Sequence, residues 1–386
     1  MGRTENMKRI ISFFIGILWI CTSVRVQADD LSLHAKAAVL MDAESGTVLY
    51  GKSEEKVMPN ASTTKILTCL YIIEHCDLEE KAEVSQNAAS QPQVRLGVRK
   101  GETYKVKDLL YGLMLESYND CAVVLAEHAA GSVEKFAEKM NEEAKKAGAE
   151  HTHFVTPNGL DGSDDGGSHG TTAYDLGMIM RKCIENEQFL KITRTPSYSF
   201  HDGSGKRSFT CTNHNALLSS MEGAISGKTG YTSKAGYCYV GAFEQGGIRM
   251  IAVVLASGWP PNKTYKWSDV RALAAYGTEH YEYREIQPDT SAITKIPVTG
   301  GIRAYVKLNV EKKKVKILLK KSQDVKIQCS LPKKVRAPVD QGDVIGEIRY
   351  MTGNTCAART KITAEENVRA KNYWWYLGNA IEKYSL

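Results

Sequence analysis

Hydrophobic positions along this chain switch period several times, and each switch marks an element. Residues Ala38-Val39-Leu40-Met41-Asp42 and Thr47-Val48-Leu49-Tyr50 flank the turn sequence Ala43-Glu44-Ser45-Gly46, which predicts a hairpin over 35–50. Ser62–His75 is almost wholly apolar after its first few residues and predicts a buried helix. Val106, Leu109, Leu110, Leu113 and Met114 recur at helical spacing and predict a helix over 106–115. Helices over 121–130 and 133–147 follow, each stopped by a glycine, Gly131 and Gly148. A Gly/Asp/Ser loop over 159–170 leads into another helix over 172–185. From Ser197 the pattern becomes strands at 198–200, 208–211, 237–243 and 248–255, and a helix over 270–276 closes the segment. Hairpin, helical block, strand block and final helix together predict an α+β domain, its sheet built from both ends of the segment.

Beyond Ile286 the chain alternates in short strands, at 302–308, 315–319, 325–329 and 344–348, with a turn over 337–343. This predicts a small all-β domain over 285–365. Residues 366–386 form a separate amphipathic tail: Tyr373, Tyr376, Leu377, Ala380, Ile381 and Tyr384 share helical spacing beside Trp374 and Trp375. Such a helix suits either an in-plane contact with a membrane interface or docking on its own domain.

Composition sharpens this picture at the two ends. Arg3, Lys8 and Arg9 precede the apolar run 10–21, and Val26-Gln27-Ala28 offers small residues for cleavage. Residues 1–28 therefore read as an export signal, with the mature chain, and its domain over 29–280, starting near Asp29; the alternative is an uncleaved anchor. Eight of the nine cysteines remain after that cleavage. Cys69, Cys121 and Cys183 lie inside apolar helical patterns, which predicts mostly free core thiols. No Cys/His cluster has zinc-ligand spacing, so no metal or other cofactor is expected. Residues 286–365 hold 16 Lys/Arg against 7 Asp/Glu. That excess suits an anionic neighbour such as a membrane or wall polymer, or lysines guarding exposed strand edges. Nothing resembles a nucleic-acid motif.

Candidate chemistry begins at Ser62-Thr63-Thr64-Lys65. A serine and a lysine three apart share one helix face, about 5–6 Å between Cβ atoms. Burial disfavours the charged amine and can make it a base. Ser-x-x-Lys also occurs at Ser53/Lys56, Ser132/Lys135 and Ser330/Lys333, but in polar or proline-containing settings. Only Ser62 opens an apolar helix. Ser117-Tyr118-Asn119 lies at a corner between two predicted helices, where a side chain is held rigidly. Lys228-Thr229-Gly230 occurs once, ahead of the 237–243 strand, and its glycine could admit a ligand close to the backbone.

These three ordered motifs resemble those of the penicillin-interacting serine enzymes. More closely, the chain resembles the low-molecular-weight penicillin-binding proteins that are D-alanyl-D-alanine carboxypeptidases, over roughly residues 31–365. Thr156-Pro157-Asn158-Gly159-Leu160, residues 169–175, Asn213–Leu218, 227–236 and Ala337-Pro338-Val339 share the likeness. Lys266-Trp267-Ser268-Asp269 departs from it, where Arg-x-x-Asp is expected.

The resemblance implies a catalytic domain of the serine β-lactamase/DD-peptidase type, an antiparallel sheet with a helical subdomain. It also implies roles. Ser62 attacks the bond between two D-alanines of a peptidoglycan stem peptide, and Lys65 takes its proton. Ser117 relays a proton to the departing amine, helped by Lys228. Asn119 holds the substrate amide, and Lys228 and Thr229 receive the terminal carboxylate. Gly230 completes that motif, and the N–H groups of Ser62 and Tyr231 form the oxyanion hole. β-Lactam antibiotics would acylate the same serine, and the protein would act outside the cytoplasm, in the wall or on the outer membrane face. Two other readings compete: a serine β-lactamase, and a non-catalytic wall-binding protein. The loop 156–170 has no glutamate to activate a deacylating water, and a binding module has no need of a serine–lysine pair.

Overall fold

The computed structural model describes residues 31–311, 314–353 and 355–384. The expected export signal, residues 1–28, lies outside them.

A five-stranded antiparallel sheet organises residues 33–280. Its spatial order is Val48–Lys52, Ala37–Asp42, Ile248–Leu255, Gly236–Gln245, Ala224–Thr232. Both ends of the segment supply strands, as the hydrophobic pattern predicts. Ala37–Asp42 is buried at every position because both faces of the sheet are covered. Helix Tyr265–His280 packs against the sheet strands, and so does helix Ala173–Cys183. The latter also contacts helix Lys65–His75, which packs against Asn119–Ala130 and Val133–Lys146.

Several expected elements shift for physical reasons. Ser62 sits in a 3₁₀ turn, Ala61–Thr64, and the α-helix proper begins at Lys65. The turn is fixed by Asn60, whose amide donates to the Thr63 and Thr64 hydroxyls at 3.0 and 2.9 Å. The helix predicted over 106–115 is α-helical only to Tyr111 and finishes as a π turn, Gly112–Glu116. Strands Ser197–His201 and Ser208–Thr212 pair with each other, outside the main sheet. Their place at its edge goes to Ala224–Thr232, a strand whose glycines and polar residues hide it from a hydrophobicity pattern. Helix Glu187–Arg194, capped by Asn186, was also hidden: only Phe189, Leu190, Ile192 and Thr193 are buried.

Strand Tyr281–Ile286 leaves the last helix directly and pairs with Val315–Lys320, so β-structure starts at 281 rather than 285. A second sheet runs in the order Lys326–Ser330, Val344–Thr352, Thr355–Ala364, Tyr305–Val310, Lys295–Thr299, Val335–Arg336. Tyr305–Val310 alternates strictly between exposed and buried, as a strand with one wet face must. This module has its own core around Val306, Tyr350, Ile362 and Val368. Tyr283 donates to Asp42 and Tyr281 to the Leu49 carbonyl, which ties the module to the first hairpin. The tail forms helix Tyr373–Tyr384, none of whose residues is buried. The eight described cysteines are free thiols, five of them buried.

Candidate active site

Lys65 is where the fold concentrates its polar interactions. It is fully buried, and its Nζ lies 2.7 Å from Ser62 Oγ, 2.7 Å from the Asn158 carbonyl and 2.9 Å from Asn119 Oδ1. Asn119 must turn Oδ1 toward the lysine, because its Nδ2 donates to the Pro92 and Gln93 carbonyls at 3.3 and 3.1 Å. Two of the three neighbours therefore can only accept. Lys65 Nζ donates to Ser62 Oγ as well as to these two, and the Ser62 hydroxyl donates in turn to the Asn158 carbonyl at 3.3 Å. Burial first, and the Lys228 charge second, hold Lys65 well below the ordinary lysine value, while Cys121 and Asp120 oppose them.

Asp120 itself is structural. It accepts from the backbone N–H groups of Leu96, Gly97 and Val98 and of Cys121, fixing the loop before the site to the start of a helix. Asn158 was not among the residues singled out for a role. Its signal lay in Thr156-Pro157-Asn158-Gly159-Leu160, but its contribution is a main-chain oxygen, which no side-chain pattern reveals. Gly159 allows this approach: at φ +81°, a Cβ there would fall 2.0 Å from the Ala61 oxygen.

An open cleft of about 340 Å³ joins Ser62 to Ser117, Lys228, Thr229, Gly230 and Tyr231. Ser117 ends the π turn in the left-handed region, at φ 68°. Non-glycine residues pay strain there, and such strain clusters at functional sites. Its hydroxyl has no partner within the described residues and faces the cleft. Lys228 is buried, which lowers its pKa to about 7, and its Nζ donates to the Thr229 carbonyl at 3.0 Å.

Gly230 does something other than admit a ligand. A Cβ there would fall 2.9 Å from both the Asn60 oxygen and the Ser62 nitrogen. Glycine thus lets the edge strand lie against the nucleophile turn. The next residue gains from this. Tyr237 uses its N–H and C=O on Gly258 and Ser257, so its cross-strand partner Tyr231 is in a non-hydrogen-bonded pair. Tyr231 consequently turns its N–H to the open edge. Ser62 lies in a first helical turn, where N–H groups have no intrahelical acceptor.

His169 supports this arrangement from behind. Its Nδ1 accepts from Val155 and Thr156 N–H, so the other nitrogen carries the proton and donates to Thr64 at 2.9 Å. Burial lowers its pKa to about 4 and keeps it neutral. At the departing motif, Asp269 is structural, accepting from His34, Ala35 and Ser257. Lys266 instead lines the cleft, held over the Tyr237 and Trp267 rings, with burial lowering its pKa to about 8.

A serine hydroxyl against a buried lysine of lowered pKa, with a second buried lysine lining the same cleft, defines a serine acyl-transferring hydrolase. Sequence comparison narrows the class. Residues 22–258 match the Peptidase_S11 family, D-alanyl-D-alanine carboxypeptidase, and residues 281–370 match the C-terminal domain of penicillin-binding protein 5. The chain is 29% identical over 387 residues to D-alanyl-D-alanine carboxypeptidase DacF of Bacillus subtilis, covering 96% of this chain and 97% of that one. It is 39% identical over 244 residues to DacB2 of Mycobacterium tuberculosis, covering 63% and 82%. The fold of penicillin-binding protein 5 from Haemophilus influenzae is similar, with TM-score 0.73 and 25% identity, over 88% of this chain and 99% of that one. The protein belongs to the D-alanyl-D-alanine carboxypeptidase family of serine peptidases. Members act on peptidoglycan, which sets this chain's work outside the cytoplasm.

Proposed function

We propose that this carboxypeptidase removes the terminal D-alanine of stem peptides through an acyl-enzyme on Ser62. The 2.7 Å contact between Ser62 Oγ and the buried Lys65 Nζ carries the reading. Lys65 accepts the hydroxyl proton as Oγ attacks the penultimate D-alanine carbonyl. The oxyanion collects the N–H groups of Ser62 and Tyr231, each such donor worth about 10²–10³ in rate. Lys228, Thr229 and the nearby Lys266 supply charge and hydroxyl for the terminal carboxylate. The C–N bond breaks as Ser117 gives its hydroxyl proton to the leaving amine and takes in exchange the proton that Lys65 gained, which returns Lys65 to the neutral amine. Water then attacks the ester, Lys65 takes its proton and passes it to Ser62 Oγ as the ester C–O bond breaks, and Ser62 is restored. Asn119 serves here chiefly by aiming Lys65, since its own N–H bonds are occupied.

Penicillin presents the same carbonyl-and-carboxylate pattern and forms the same ester. No carboxylate among the described residues bonds to Ser62 or Lys65, and Asp164 of the 156–170 loop pairs with His153 instead. This supports slow deacylation of the drug ester over β-lactamase turnover. Purified protein should form a stable adduct with fluorescent penicillin and release D-alanine from a D-Ala-D-Ala peptide, while Ser62→Ala does neither. Labelling that survives in Ser62→Ala would overturn the assignment.

The same proposal extends to the tail. Tyr373, Trp374, Tyr376, Leu377, Ile381 and Tyr384 all lie exposed on helix Tyr373–Tyr384. No helix of the described residues is long and apolar enough to cross a membrane. A short helix with an aromatic-rich face fits the interface plane. The mature chain should sediment with lipid vesicles, and a chain lacking residues 366–386 should stay in solution. Equal sedimentation of the two would exclude the anchor.

A further inference from the structure

We propose a divalent transition-metal site, suited to Zn²⁺, formed by Glu55, His151 and Asp175. These residues come from three separate segments, which is why sequence spacing shows no metal motif. One ligand atom from each lies within 4.8 Å of the others, and His151 Nδ1 is 4.0 Å from Glu55 Oε2. Donors around a tetrahedral zinc stand roughly 3.3–3.6 Å apart, given metal–ligand bonds of about 2.0–2.2 Å. A closure of about 1 Å is therefore needed. Glu55 and His151 can supply it, because both side chains are mostly exposed.

The second observation comes from Asp175. It is 1% exposed, and its Oδ1 is buried without a hydrogen-bond partner. Its other oxygen accepts from the His151 N–H at 2.7 Å and the Thr152 hydroxyl at 2.8 Å. A buried carboxylate oxygen left unpaired is costly and calls for an ion or a water. Two carboxylates and one imidazole form the oxygen-and-nitrogen donor set that borderline divalent metals accept, with water as the fourth ligand.

The frame around the site is already in place. Met58 and Thr171 exchange both backbone hydrogen bonds, and the Tyr174 N–H donates to the Glu54 carbonyl. Thr152 and Thr171 hydroxyls meet at 2.7 Å. A metal here would staple the loop that leads into Asn60 and the nucleophile turn. It would act on stability and not on acyl transfer.

Chelator-stripped mature protein, titrated with Zn²⁺ by calorimetry, should bind one ion per chain and gain about 2–5 °C in Tm at saturation. His151→Ala should weaken that binding about 10-fold or more and cancel the Tm gain, leaving the stripped protein's Tm unchanged. His153→Ala and Cys329→Ser, which alter other exposed ligands, should retain it. No zinc binding, or binding that persists in a Glu55→Gln/His151→Ala double variant, would overturn the proposal.

Discussion

Lysines of the cleft and lysines of the β-module face opposite physical conditions. Lys65, Lys228 and Lys266 are buried, and desolvation lowers the pKa of each. The described lysines of residues 281–364 are exposed or half-buried, and Lys314 pairs with the surface carboxylate of Glu285. The two regions differ in what covers their charges. The cleft lies between a five-stranded sheet and a helical block, so a side chain entering it leaves water. The β-module alternates wet and dry positions along its strands, and its charged residues keep the wet ones. One residue type is thus desolvated in one region, where we propose that it acts as a base and a carboxylate receptor, and solvated in the other.

Replacement of Lys65 by arginine should break the comparison most severely. Arginine cannot lose its proton, so it removes the base while keeping a cation. Penicillin acylation should slow by about 10²–10⁴-fold, measured by labelling rate. A wild-type rate would show that Lys65 is not the base.

The second test is the pH profile. Lys65 must be neutral, so kcat/KM should rise as pH climbs through its lowered pKa. Lys228 must be charged to receive a carboxylate, and its pKa in the free enzyme is about 7. Above that pH its charge is lost, so kcat/KM for a D-Ala-D-Ala peptide should fall on the alkaline side. The kcat at saturation should fall less, because bound carboxylate raises the Lys228 pKa. A substrate with its terminal carboxylate amidated should show no such alkaline limb, and Lys228→Met should leave only a limb near 8, from Lys266. An unshifted limb near 7 in Lys228→Met would assign it elsewhere.

The smallest effect belongs to the β-module. Lys361→Ala should change stability by no more than about 0.5 kcal/mol and leave acylation unaltered. A larger loss in denaturant unfolding would mean that these charges do more than stay solvated.

Much of this was legible before any coordinates. The first hairpin, the buried run after Lys65 and the helix stops at Gly131 and Gly148 follow from periodicity and glycine chemistry. The three short motifs, in order, marked the site. What escaped had weak or misleading local signals. The edge strand Ala224–Thr232 carries Lys228 through a run with little β-propensity, and only pairing with Gly236–Gln245 makes it a strand. Asn158 contributes a carbonyl, which is identical in every residue. Gly230 read as room for a ligand, and only the packed structure shows that it also makes room for the backbone of Asn60 and Ser62.

The chain's residue order alone determined that a serine and a lysine would share one helical face, and that this face would lie in an apolar environment. Local covalent spacing and hydrophobic burial are enough for that. Tertiary structure decided the surroundings that lower the Lys65 pKa, complete burial first and the nearby Lys228 charge second. Desolvation and charge proximity are properties of the packed molecule, and no stretch of sequence contains them.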